Sequence, residues 1–574
     1  PYYDLYEAEF RLAGNDLGPR QLEQPTIYQQ GDQRNFFTDE GSTPATLQLQ
    51  TELFAFWIDN SLNYSDAMLQ SIAKQLESEY YPVLIDYFGA PASPGIDGVP
   101  QISIFHYLGG SGDTQLGYFT SQDAFPRTVF AESNEQEVIY LNMGQLELGS
   151  DLYYGTTLHE LQHLIQFNID PNETTWLNEG LSQLAELYLN FDTVEPGDYY
   201  RNPDIRLNTW LYDDDIQQAY YGGSYLFVTY LWEQLGETAV RELIRHPANG
   251  MPSVHAILQG YRPDLTLDAI FADFATAVFL DDPQAGQQFQ FRSLDTSRPN
   301  YIQNSSDIPI ELTTELNQFS THYINLNFSG NVNLSFAGDT QTAVIDGIPR
   351  NSDGTFWFVP PMDETNAILE GRFDLSSVRT ATLQFSTWYD LERDWDYAYV
   401  LVSTDAGNTW RVLDADDIGS MDIGQFGPAF SGQSYSSDEA ASGWVKQSYS
   451  LGELVGQQLL IRFEVQTDYN GLGRGFAIDD ISIPEIGFGP ASPDAETRWQ
   501  PKGGFALTGH VLPQPWHVRH IHRGEVPRVE TVTLNEPNQA QTAVSLGPQG
   551  AVLVITTGTP FVAEPADYWL NITK

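Results

Sequence analysis

The sequence predicts a multidomain chain whose first half is α+β and whose second half is all-β, and three observations predict it. At 574 residues the chain exceeds what one hydrophobic core holds, so three or four domains are expected. Up to about residue 281, apolar residues recur at helical spacing or in short strand-like runs; after Asp282 the runs are short, alternating and separated by turn residues. Hydrophobic residues make up 41% and aromatics 13%, enough for several cores, so disorder is not the expectation.

Taken in order, Ala45–Ile58 alternates like a strand, Asp66–Phe88 has a helical period, and Gln101–Leu108 reads as a short apolar strand. Glu137–Asn142 reads as another strand, either an exposed edge that pairs with an extended substrate or an ordinary interior strand. A helix is expected over about Tyr154–Phe167. Helical segments then follow at Leu177–Leu189, Gly223–Leu235, Thr238–Arg245 and Leu267–Leu280. The expected divisions are a first domain over 1–285 (mixed to 150, helical from 151), a β segment over 300–345 pairing with 490–574, and a sandwich over 346–487 between them. The phrases His322-Tyr-Ile-Asn-Leu326 and Asp567-Tyr-Trp-Leu-Asn571 suggest a duplicated strand in that outer pair.

Seventy-seven acidic residues against 26 basic ones give a formal charge of −51, which excludes nucleic acid and anionic membranes as partners. No apolar run approaches the roughly 18–20 residues of a membrane span, and Pro1 is not followed by a charged and then an apolar segment of the signal-peptide kind. Cysteine is absent, so disulfides, thiolate ligands and cysteine nucleophiles are excluded. Any transition metal must be held by imidazole and carboxylate.

The decisive residues are His159-Glu-Leu-Gln-His163, in a segment whose Leu158, Leu161 and Ile165 recur at helical spacing. Histidines at i and i+4 share a helix face, so both imidazoles reach one zinc ion, and Glu160 beside the first takes a proton from water at the metal. With 10 histidines in the chain, such a motif arises by chance in roughly one chain in a hundred. The competing reading is a pair of solvent-facing histidines on an amphipathic helix. A catalytic zinc needs a third ligand, and Trp176-Leu-Asn-Glu-Gly-Leu-Ser182 offers Glu179 after a turn at Asp170-Pro-Asn172. Glu186, seven residues on, shares the Glu179 face and either orients a ligating histidine or is solvated. His106 and His255 read as core or surface histidines rather than ligands.

His-Glu-x-x-His followed by Trp-Leu-Asn-Glu-Gly-Leu-Ser resembles the gluzincin peptidases, the aminopeptidase N group among them, and in wording and short spacing the hyicolysin group of bacterial secreted metallopeptidases. The resemblance implies a zincin (gluzincin) catalytic domain, Zn2+ at His159, His163 and Glu179, and Glu160 as general base. It also implies a later oxyanion donor, for which Tyr220-Tyr-Gly-Gly-Ser-Tyr225 offers Tyr221 and then Tyr220; plain packing at a helix start is the alternative. A secreted endopeptidase acting on protein or peptide substrates is the resulting expectation. Its alternatives are an aminopeptidase-like exopeptidase, disfavoured because no Gly-x-Met-Glu-Asn stretch lies upstream, and a surface-binding protein with a peptidase-like scaffold.

In the β-rich half, Thr382-Leu-Gln-Phe-Ser-Thr-Trp-Tyr-Asp390, the phrase Tyr397-Ala-Tyr-Val-Leu-Val-Ser-Thr-Asp405 and Gly475-Phe-Ala-Ile-Asp-Asp480 resemble the C-terminal β-sandwich of immune inhibitor A and, distantly, MAM-type jelly rolls. Asp390, Glu392, Asp394 and Asp396, with Asp468, Asp479 and Asp480 from distant strands, form an oxygen-rich set suited to Ca2+, or are simply turn residues of an acidic chain. Glycan or surface ligands are the partners such β domains suggest.

Overall fold

The computed structural model describes residues 2–38, 41–191, 196–211, 216–345, 348, 354–414, 422–435, 443–468 and 473–574. The expected sandwich start at 346 lies outside these. The chain forms two compact units, Leu17–Pro196 with Tyr221–Asn249, and Pro1–Asp16 with Gly197–Tyr220 and Gly250–Lys574.

The first unit is built on a six-stranded sheet of β1 (Gln33–Thr38), β2 (Gly41–Gln50), β3 (Phe54–Asp59), β4 (Ile102–Tyr107), β5 (Gly117–Phe119) and β6 (Val138–Asn142), in the order β1-β2-β3-β4-β6-β5. Strands β3, β4 and β6 run parallel to one another and are buried throughout, which is why they read as nearly unbroken apolar runs. The expected single strand over Ala45–Ile58 is two strands, because the chain reverses at Thr51, whose N–H donates to the Phe54 carbonyl. Between Asp66 and Phe88 the chain forms α1 (Asp66–Gln75), a π-helical turn (Leu76–Tyr80) and α2 (Tyr81–Phe88). Pro82 in the first turn of α2 lacks the donor that a continuous helix requires.

On one sheet face Phe36, Leu47, Trp57, Phe105, Val138 and Tyr140 form a core. On the other, His106 is fully buried, with Nδ1 3.2 Å from the Trp57 carbonyl oxygen and Nε2 2.9 Å from the Tyr153 hydroxyl. That residue is a satisfied core histidine, and burial pushes its pKa down to about 4. Helices α3 (Asp151–Ile169), α4 (Thr175–Tyr188), α5 (Gln217–Leu235) and α6 (Glu237–Leu243) come next along the chain. The alternatives for Glu137–Asn142 resolve here: β6 is an interior strand, and the three-residue β5, antiparallel to it, ends the sheet.

In the second unit, α7 (Met251–Tyr261) and α8 (Leu267–Leu280) cluster with the β-rich half, so the expected boundary at 285 is corrected to about Gly250. The reason is apolar burial: Ala275 and Phe279 share a cluster with Tyr323, Ile521, Val552 and Val554, and the Tyr323 hydroxyl donates to the Ala275 carbonyl at 2.7 Å. The β7 (Gln303–Ser305), β8 (Ile310–Leu316), β9 (Ser320–Leu326) and β10 (Gly330–Gly338) strands pair with β11 (Trp516–His522), β12 (Arg528–Thr531), β13 (Gln539–Leu546), β14 (Ala551–Thr557) and β15 (Ala566–Thr573) in two sheets. These are ordered β13-β10-β15-β8 and β12-β11-β14-β9-β7. The phrases that look duplicated lie on β9 and β15, one in each sheet, where His322 Nδ1 stands 2.9 Å from the Tyr568 hydroxyl.

Between them lies a sandwich of two five-stranded antiparallel sheets around Leu369, Phe385, Val400, Ile461, Phe463 and Ile478. It takes in Trp499–Lys502 and Ala506–Gly509, which pair with Asn366–Asp374 and Thr355–Val359. The expected end at 487 is therefore too early: each of these short strands completes a sheet edge that would otherwise expose unpaired backbone. Residues Pro1–Asp16 also join this unit. Tyr3 N donates to the Glu364 carbonyl at 2.8 Å, and Arg11 meets the fully buried Glu464 at 2.5 Å.

Candidate metal centre

Helix α3 opens on an N-cap, the Ser150 hydroxyl accepting from Tyr153 N, and runs long enough to carry both histidines near its middle. Their rings lie 4.8 Å apart, with Nε2 to Nε2 at 3.1 Å. After the turn, α4 brings Glu179 Oε2 to 3.2 Å from His159 Nε2 and 3.6 Å from His163 Nε2. Tetrahedral zinc with bonds of about 2.0–2.1 Å places its ligand atoms about 3.3 Å apart, so the triangle has the size zinc requires. Glu179 Oε2 is buried and has no hydrogen-bond donor, facing two imidazole nitrogens instead. The donor set fits the ion.

The remaining ring nitrogens are held from α4. His159 Nδ1 lies 2.8 Å from Glu186 Oε1, and His163 Nδ1 lies 3.1 Å from both Asn178 Oδ1 and Ser182 Oγ. A carboxylate or amide oxygen only accepts, so each Nδ1 carries the proton and each Nε2 lone pair is left for the centre. Ser182 also bonds the buried Gln162 side chain. Sequence reasoning singles out Glu186 but misses Asn178 and Ser182, although they stand at i, i+4 spacing with Glu186 four residues further on.

Burial raises the pKa of Glu160, the two imidazoles lower it, and Glu179 and Glu186 raise it, with a net upward shift. For Glu179 burial works upward too, but the two histidines pull it down to about 2. His159, which burial alone would keep neutral, is pushed well up by Glu179 and Glu186 in the metal-free protein. Two imidazoles among three carboxylates, two of them buried, are short of positive charge, which a divalent cation supplies.

Two glycines set the spacing. A Cβ at Gly180 would lie 2.5 Å from Val228 Cγ2 and 2.9 Å from the Ser224 carbonyl oxygen, so α4 touches α5 closely where Glu179 leaves the helix. A Cβ at Gly117 would lie 2.7 Å from the Tyr140 carbonyl oxygen, 2.9 Å from Thr156 Cγ2 and 3.3 Å from Glu160 Cγ, so β5 runs directly beside the base. Tyr221 is half-buried, three residues before Ser224 and so on the α4-facing stripe of α5. Tyr220 packs in the other unit, its ring 5.8 Å from that of Trp210.

The seven acidic residues expected to gather round calcium are dispersed. Asp390 meets Arg474 at 3.2 Å and the Tyr435 hydroxyl at 2.7 Å, the Asp394 amide donates to Ser431, Asp479 lies 3.8 Å from His510, and Asp480 is exposed. Only Glu392, Asp396 and Asp468 come together: Asp396 is 2% exposed and accepts from the amides of both others. Among the described residues, three ligand atoms converge only at His159, His163 and Glu179, and at His520, His522 and Glu530.

Residues 332–510 match the family profile of the immune inhibitor A-like MAM domain, and most of that span is the middle sandwich. A stretch of 145 residues is 30% identical to the pre-pro-metalloprotease PrtV of Vibrio cholerae serotype O1, covering 24% of this chain and 14% of that protein. A stretch of 103 residues is 27% identical to bacillopeptidase F of Bacillus subtilis strain 168, covering 18% of this chain and 6% of that one. The chain thus spans a small part of each relative, of which one is named a metalloprotease and the other a peptidase. Among solved structures, the glycoside hydrolase domain of Endo-D from Streptococcus pneumoniae R6 aligns at 13% identity over 42% of this chain and 37% of that one, with a TM-score of 0.15. At that score the alignment carries no argument.

Proposed function

We propose that the chain is a secreted zinc metalloendopeptidase of the gluzincin type, related to the hyicolysin group. The observation that carries this reading is the triangle of His159 Nε2, His163 Nε2 and Glu179 Oε2, 3.1–3.6 Å on its sides, with the Glu160 carboxylate one residue from the first ligand. When bound there, zinc supplies a Lewis acid for the scissile carbonyl and lowers the pKa of water.

The chain's own residues do the rest. Strand β5 ends its sheet beside Glu160, so its outer backbone edge pairs with an extended peptide and presents the scissile bond to the base. Glu160, its pKa raised by burial, takes the proton of the attacking water and returns it to the leaving amine. Tyr221, on the α4-facing stripe, donates to the oxygen that becomes negative. Glu186, Asn178 and Ser182 fix the imidazole tautomers. Among the described residues no helix is long and apolar enough to cross a membrane.

Glu160→Gln removes the base while sparing the ligands. Turnover of casein should fall about 10²–10⁴-fold with zinc content unchanged. Cleavage at the parent rate overturns the reading. Mapping cut positions in a peptide library separates internal cleavage from removal of terminal residues.

A further inference from the structure

We propose that His520, His522 and Glu530 form a second transition-metal site, in the C-terminal sandwich, that staples the edge strand β12 to β11. Side chains alternate along β11: Trp516 and Val518 face the sandwich core, and Ile521 faces the cluster on α8. His520 and His522 continue the core-facing row, so two imidazoles stand where the pattern calls for apolar residues. Directly opposite on β12, Glu530 pairs with His520 and Arg528 with His522. The two rings are 4.5 Å apart, and both Nε2 atoms turn to one carboxylate oxygen, Glu530 Oε2, at 3.2 and 3.5 Å.

These separations match those of the helical triad, 3.2 and 3.6 Å to Glu179 Oε2. Spacing of i, i+2 on a strand does here what i, i+4 does on a helix. A single imidazole N–H satisfies a carboxylate oxygen, yet two imidazole Nε2 atoms, one on a histidine only 5% exposed, turn to the same oxygen. A divalent cation among the three atoms accounts for that convergence. Two imidazoles and one carboxylate select zinc, cobalt or nickel over calcium or magnesium. Arg528 binds the other oxygen, Oε1, at 2.7 Å, and its Nη2 lies 3.4 Å from His522 Nε2; being two-thirds exposed, it can swing away. A cation in the place of a base suits a structural cross-link. The beneficiary is clear from the topology, since the four-residue β12 ends its sheet and has β11 as its sheet neighbour.

The test is zinc content of the full chain after loading and desalting, read by mass spectrometry. The parent should hold two equivalents, Glu530→Gln one, His163→Ala one, and the double variant none. Zinc should raise the melting temperature of His163→Ala but not of the double variant. His522→Asn gives an independent loss of the second equivalent, with circular dichroism to show that each variant folds, and Arg528→Ala should tighten the second site severalfold. No zinc in folded His163→Ala, or equal zinc in the parent and Glu530→Gln, overturns the site. A parent with one equivalent that survives His163→Ala but not Glu530→Gln instead removes the helical centre and leaves this one standing.

Discussion

One carboxylate of the first unit, Glu179, and two of the middle sandwich are held in opposite states. Glu179 sits against two imidazoles and is pulled down to about 2, whereas Asp396 and Glu364 are pushed up to about 8, by burial first and then by neighbouring carboxylates. Asp468 acts on both sandwich groups, with Glu392 adding to Asp396 and Asp363 to Glu364. Density of acid therefore does not locate a metal. What matters is whether imidazoles complete the donor set and whether a second layer of acceptors fixes them.

The contrast breaks most visibly at Glu186. Glu186→Gln weakens the acceptor on His159 Nδ1, and zinc affinity should drop about 10–100-fold in a chelator competition, with casein cleavage falling in parallel. Unchanged affinity would mean that the α4 acceptors are decoration. A smaller effect is expected at Gly180. Gly180→Ala drives a methyl into Val228 and the Ser224 carbonyl, and the overpacking should cost about 1–3 kcal/mol in denaturant melts, with some zinc lost as Glu179 shifts.

The smallest effect concerns pH and the sandwich. Asp396 has a folded pKa of about 8 against 3.8 for the free group, so the folded state keeps a proton that the unfolded state has released. Its stabilising contribution is thus present below about pH 4 and is lost as pH rises towards 8. In EGTA, the sandwich transition should move to lower temperature over that range, and Asp396→Asn should flatten the slope. A rising transition contradicts the account. Calcium at Glu392, Asp396 and Asp468 predicts a higher melting temperature at pH 8 than in EGTA; equal temperatures remove it.

How far the sequence can be read depends on the range of the interactions. Helical spacing is local, so the His159 and His163 pair, the shared face of Glu179 and Glu186, and the switch to short alternating strands after Asp282 are all visible in the residues themselves. Strand partners are not. Nothing in Val138–Asn142 says that β5 covers one of its sides, and nothing in Asp390–Asp396 says that Asp390 turns to Arg474 while Asp396 turns to Asp468. The His520 and His522 pair escapes a sequence reading for the same reason: its third member stands on another strand, opposite only once the register is known. Asn178 and Ser182 are within reach, since they occupy the motif that supplies Glu179, but a polar residue on a helix face does not announce its partner.

Strand β15 lies inside its sheet, between β10 and β8, although it occupies residues 566–573. During synthesis its two neighbours leave the ribosome more than two hundred residues earlier and must wait with unpaired edges, while the intervening sandwich has all of its own strands by residue 509. The outer pair of sheets consequently closes after the sandwich it encloses in sequence, and a chain cut before Ala566 has a gap through the middle of one layer.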